Sequence, residues 1–305
     1  MILGNGKYKY ERVEGWPKMP EYFTVEEALP GVSRGVAGVA TDSQDRVFVF
    51  NRGKHPLIIF DRDGNFVSCW GEGHFPGAHG IFIGPDDSVY VADFETHVVE
   101  KYTPSGELIW TLGTRNIGQP PLLNKPFCMP TRLVVGPTGD LFVSDGYANF
   151  CVHKFSSEGE LIKTWGGPGH EPGQLQWPHS IDIDKYGTVY VVDRENDRIQ
   201  LFTSDGELIG VWTDFLIPHN IHIDRKNDII YVVEGQVRDL SRPIDRPRVS
   251  IRDLKGNILS MWEGRESNGE GVLEVPHTIC VDSYGDIYIG EIHDVPRIQK
   301  FAKVS

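Results

Sequence analysis

One pattern recurs along this chain of 305 residues and limits what it can fold into. Residues 79–112 read as an apolar run (HGIFIG), a turn (PDD), a second run (SVYVAD), a third (VVEKYTP), the turn SGE and a fourth run (LIWTL). Residues 131–166 repeat this as TRLVVG, PTGD, LFVSD, CVHKFSSEGE and LIKTWG, and residues 179–212 as HSIDIDKYG, TVYVVD, RIQLFTSDGE and LIGVW. An earlier copy holds GVATDSQD, RVFVFN, LIIFDRDGN and FVSCWG. A later one holds HNIHIDRKN, IIYVVE, RVSIRDLKGN and ILSMW, and the last (HTICVDSYG, DIYIGE, RIQKFAK) stops after three runs. Short apolar runs bounded by Gly, Asp and Asn turns are antiparallel strands, and a fixed period marks a repeat architecture. Four strands per unit and six units predict an all-β, six-bladed β-propeller, a single domain over residues 1–305.

The last unit lacks a fourth strand, and the alternating segment KYKYERV at 7–13 is a candidate donor. Pairing it there closes the ring and covers an exposed edge, which makes residues 1–30 a closing strand and its lead-in. Units such as TVYVVD followed by RIQLFTSDGE resemble the NHL repeat family over nearly the whole chain. That resemblance implies a fold and leaves function open, because propellers of this kind bind partners as well as catalyse.

Composition narrows the partners. A formal net charge of −13, with no Lys/Arg-rich run, argues against nucleic acid, which needs a basic surface. No apolar stretch reaches the roughly 20 residues that span a bilayer. The N-terminus lacks the apolar core of a secretory signal. Four cysteines (Cys69, Cys128, Cys151, Cys280) without CxxC spacing fit reduced thiols, so a cytoplasmic location is expected.

Topology indicates which side chains can meet. The start of each first strand and the end of each second strand share one rim. The residues at the first position are Ala37, His79, Thr131, His179, His219 and His277. Blades two, four and six are related by about 120° in a six-membered propeller, and His79, His179 and His277 occupy those blades. Three neutral imidazoles with an open position suit a catalytic Zn2+ or another divalent transition metal. The alternative is a set of hydrogen-bonded histidines lining a wet channel. His219 is a candidate fourth ligand, a base, or a channel-lining residue. Just past second strands lie Arg52 and Tyr147, as well as Phe94, His97, Arg194, Glu234 and His293. Arg52 and Tyr147 are either turn residues on the surface or, beside a metal, a carboxylate clamp and an acid–base group. Asp193 and Asn196 of the DREN segment read as turn residues.

The motifs FNRG (50–53), AHG (78–80), FCMPT (127–131), SDGYAN (144–149), PHS (178–180), VDRENDRIQ (192–200) and PHT (276–278) occur in that order. Together they resemble the peptidyl-alpha-hydroxyglycine amidating lyases, propellers that cleave a carbinolamide to an amide and glyoxylate. The resemblance implies zinc on His79, His179 and His277 and active-site roles for Arg52 and Tyr147. Three departures stand out. Thr278 replaces an aspartate of the family's calcium site, so calcium is not expected. Ala148 replaces the disulfide partner of the cysteine matching Cys128, and His219 lies outside the family's zinc set.

These readings converge on a metal-dependent lyase for a small, anionic carbinolamide-like substrate. The Arg-rich insertion 235–247 contributes Arg238, Arg242 and Arg246 either to substrate binding or to a solvated loop, and segment 113–130 is a second candidate wall or lid. The alternatives are a metal-dependent hydrolase of the lactonase or esterase type and a non-catalytic interaction scaffold. Sequence alone does not fix the oligomeric state.

Overall fold

The computed structural model describes residues 1–20, 34–235, 247–264, 272–292 and 297–304. Their strands form six antiparallel sheets, five of four strands and one of five, and the fold is the expected six-bladed propeller. Among the described residues the only helical segment is a single 3-10 turn, Arg194–Asn196, and no helix is long and apolar enough to cross a membrane. The sheets fall into two compact units, residues 75–218 and residues 1–74 with 219–305.

The unit of residues 75–218 holds blades two, three and four. In blade four the strands are Pro178–Ile183, Val189–Asp193, Arg198–Phe202 and Leu208–Trp212. The first three are buried on both faces and the fourth is exposed to half-buried. This gradient explains the continuous apolar runs of inner strands and the mixed outer ones. The core of the unit packs Phe127, Phe142, Val143, Ile181, Ile183 and Phe202 together. Turns between third and fourth strands rest on glycines at positive φ, such as Gly106 at 91° and Gly206 at 76°, where a side chain would be strained.

In the other unit, blade six pairs its third strand, Arg297–Val304, with Tyr8–Arg12, through Lys9 opposite Val304 and Arg12 opposite Phe301. The N-terminal strand thus supplies the fourth position, as the alternation of KYKYERV predicts. A fifth strand, Ile2–Asn5, pairs outside it across the two-residue loop Gly6-Lys7, with Gly6 at a positive φ of 58°. Glycine at the first loop position is what a tight hairpin of this kind needs, and the short, glycine-containing strand before it is what hid the element. The N-terminal segment also touches both neighbouring blades of its unit. Tyr10 is fully buried against Trp262 of blade five, with ring centroids 5.4 Å apart. Trp16 packs on Phe60 of blade one and Tyr288 of blade six and donates to the Arg62 carbonyl. Tyr10→Ala should therefore lower stability by about 3–5 kcal/mol, as for other buried aromatics. Urea denaturation checks this, and a loss below about 1 kcal/mol would contradict the closing role.

Candidate metal centre

A buried acid organises the chain just ahead of His79, His179 and His277. The second strand of blade two ends at Asp93, whose carboxylate accepts the Gly77 N–H at 3.0 Å and the Thr96 N–H at 2.9 Å. In blade three Asp145 accepts the Cys128 N–H, the Asn149 amide and His153. In blade four Asp193 accepts the Gln176 N–H, the Asn196 and Gln200 amides, and the Arg198 guanidinium at 2.6 Å. Burial pushes the Asp93 and Asp193 carboxyls above the usual range, against donors that pull them back. Asp193 and Asn196 are thus structural, as their sequence context indicates.

Within the unit of residues 75–218, these loops bring His79, His179 and Tyr147 together. The Tyr147 hydroxyl lies 2.8 Å from His79 Nε2 and 3.0 Å from His179 Nε2. The two imidazole centroids are 4.7 Å apart. His79 Nδ1 lies 2.8 Å from the Thr131 carbonyl. A carbonyl only accepts, so Nδ1 carries the proton and Nε2 presents its lone pair. Phe94 meets both His79 and Tyr147 edge-on, and Trp177 meets Tyr147. The Arg194 guanidinium covers Trp177 and pairs with Glu195, which accounts for both residues of the DREN turn.

Two glycines permit this approach. A Cβ on Gly80 would sit 2.4 Å from the Thr131 carbonyl oxygen, and one on Gly146 would sit 2.0 Å from the Pro178 carbonyl oxygen. The glycines of AHG and SDGY are therefore spatial requirements. Trp177, immediately before the Pro-His pair, and Met129, before Pro130 and Thr131, take positive φ of 58° and 68°. Bulky residues rarely adopt that region, and such strain is typical of functional rims. Segment 113–130 is anchored beside this site: Phe127 is in the core, the Met129 N–H bonds His97 Nδ1, and the Met129 carbonyl accepts the Tyr147 N–H.

The other unit repeats the device. Glu291 of blade six accepts the Glu274 and Val275 N–H groups, the Gln299 amide and Arg297, and burial raises its pKa. His277 follows, 2% exposed, with Nδ1 2.9 Å from the Ala37 carbonyl. It therefore presents Nε2 as His79 does. His219 lies next to it, with centroids 5.7 Å apart. Arg52 is buried at the end of blade one, its N–H on the Gly35 carbonyl. Glu234 occupies the equivalent acid position of blade five and binds Arg248 and Ser250. Arg238, Arg242, Arg246 and His293 lie outside the described residues, as does most of the insertion 235–247.

A further group able to bind metal, Asp145, Cys151 and His153, is fully buried within blade three. His153 spends both ring nitrogens there, on Thr164 and on the Asp145–Cys151 side, and burial drives the Cys151 thiol pKa upward. Replacing an acid of the repeated set should cost more than an ordinary hydrogen bond. Asp193→Ala leaves the buried Arg198 without its carboxylate and should lower stability by about 3–5 kcal/mol in urea denaturation. A change under about 1 kcal/mol would remove the acid from its organising role.

The NHL repeat profile matches residues 127–155. NHL repeat-containing protein 3 of Mus musculus is 30% identical over 307 residues, which span 94% of this chain and 82% of that protein. Peptidyl-alpha-hydroxyglycine alpha-amidating lyase 1 of Drosophila melanogaster is 28% identical over 267 residues, 80% of this chain and 48% of the relative. Among solved structures, a gluconolactonase of Xanthomonas campestris superposes with a TM-score of 0.64 at 13% identity, over 89% of this chain and 90% of that one. At that identity the likeness concerns the fold alone. The chain belongs to the NHL-repeat family and is a homologue of the amidating lyases.

Proposed function

We propose that this protein is a metal-dependent lyase that cleaves the C–N bond of a small carbinolamide-type substrate, giving an amide and a carbonyl product such as glyoxylate. The observation that carries this reading is the Tyr147 hydroxyl held between His79 Nε2 and His179 Nε2. In this reading His79, His179 and His277 hold one divalent ion, with zinc the best chemical match. The donor set fits: each of the three is buried and offers one ring nitrogen, and the Nδ1 atoms of His79 and His277 are already engaged by carbonyls. Metal-binding histidines are typically oriented in that way. A bound divalent ion supplies Lewis-acid chemistry, polarising the substrate oxygen.

The chain's own groups account for the rest. Tyr147 relays the proton: its phenolic oxygen accepts the substrate hydroxyl proton as the C=O bond forms while its own proton passes to the departing nitrogen as the C–N bond breaks, so protons balance without a further reactant. Arg52 holds a substrate carboxylate through its planar guanidinium. Phe94 and Trp177 keep water from the reacting atoms. Asp93, Asp145 and Asp193, the acids of blades two to four, are occupied by backbone and side-chain donors. That favours an imidazole-bound transition metal over the carboxylate-bound calcium that a lactonase-type reading would call for. A reducing, cytoplasmic setting is part of this reading, in keeping with four cysteines that lack CxxC spacing. His219 is assigned to the rim beside His277 and outside the ligand set.

Three outcomes test this reading. Protein purified without chelator should release glyoxylate from alpha-hydroxyhippurate and lose that activity on chelator treatment. A metal-loaded protein that releases none would overturn the lyase assignment, and ester or lactone turnover would point to the hydrolase. Tyr147→Phe should lower kcat by about 10²- to 10⁴-fold with little change in KM. Arg52→Ala should raise KM for carboxylated substrates by roughly tenfold or more. Equal KM values for charged and uncharged substrates in the parent protein would remove Arg52 from that role.

A further inference from the structure

Blade one carries a second group of metal-type donors, all within one unit. His55 precedes the third strand, Leu57–Phe60, and Cys69 lies on the outer strand, Phe66–Trp70, directly opposite Ile58. Glu72 follows that strand, its Oε1 2.6 Å from His55 Nδ1. One imidazole nitrogen, one thiol sulfur and one carboxylate oxygen all lie within 4.8 Å of one another. Cys69 is the one cysteine that is not buried, and Glu72 is 55% exposed, so the group is reachable from solvent. We propose that His55, Cys69 and Glu72 form a second, peripheral site for a borderline divalent transition metal such as zinc or cobalt.

The donor chemistry selects the ion. A sulfur, a nitrogen and an oxygen ligand suit zinc-type cations and not calcium or magnesium, which take oxygen shells. Three ligands leave a fourth tetrahedral position for water. A cation there takes the place of the direct His55–Glu72 contact and displaces the thiol proton of Cys69. The fold also gives the site a consequence. The buried Asn51 side chain donates to the His55 and Pro56 carbonyls and accepts the Gly53 N–H, so residues 51–56 are tied into one rigid loop. Arg52 stands in that loop. A cation joining His55 to the outer strand fixes both ends of the segment that carries Arg52.

Cobalt titration tests this site apart from the proposed histidine centre, because only thiolate ligation gives a near-ultraviolet charge-transfer band. The band should develop in the parent protein and persist in a His79→Ala/His179→Ala variant, saturating at one equivalent per chain. It should vanish in Cys69→Ser, and His55→Gln and Glu72→Gln should each weaken binding by roughly tenfold or more. Absence of the band in the parent protein, or its survival in Cys69→Ser, would overturn the proposal. Loss of the band in the double histidine variant alone would reassign the sulfur ligand to the histidine centre.

Discussion

The rest of the structure depends on a carboxylate buried at the end of the second strand of a blade. Asp93, Asp145, Asp193, Glu234 and Glu291 occupy this place in blades two to six, and the amide of Asn51 takes it in blade one. A buried carboxylate is costly unless its lone pairs are met. In blades two, three, four and six the backbone N–H groups that meet them belong to the chain about to enter the first strand. The acid therefore fixes the loop two or three residues before His79, Thr131, His179 and His277. Desolvation and donor supply oppose each other at Asp93, Asp193 and Glu291, and it is the donor supply that dictates the loop conformation.

Much of this was legible in the sequence. The period of the apolar runs gives the blade count, and KYKYERV gives the strand that completes blade six. The histidines stand out because they share a place in the repeat. Other features are harder to see. An acid at the end of a strand, as in VAD, VSD, VVD or IGE, looks like the first residue of a solvated turn, yet the structure buries it. Ala37 and Thr131 look like breaks in the histidine pattern. Their carbonyls are instead the acceptors for His277 and His79, a role that belongs to the backbone and leaves no mark in the residue type.

Tyr147 shows why site geometry is less legible than fold. The motif SDGY marks a residue beyond a strand, and many turns carry a tyrosine there. Its placement between two imidazoles follows from Gly146, which has no Cβ to meet the Pro178 carbonyl, and from Met129, whose carbonyl accepts the Tyr147 N–H. These are distance relations between loops far apart in sequence. Phe94 and Trp177 join the site through the same relations.

The proposed chemistry rests on imidazole ligation by His79, His179 and His277, and X-ray absorption at the edge of the bound ion tests it most directly. The measurement is best made on a Cys69→Ser variant loaded with one equivalent of zinc, so that the peripheral thiol contributes nothing. The account predicts imidazole nitrogens at about 2.0–2.1 Å and no sulfur shell. A sulfur shell near about 2.3 Å, or a purely oxygen environment, would contradict it.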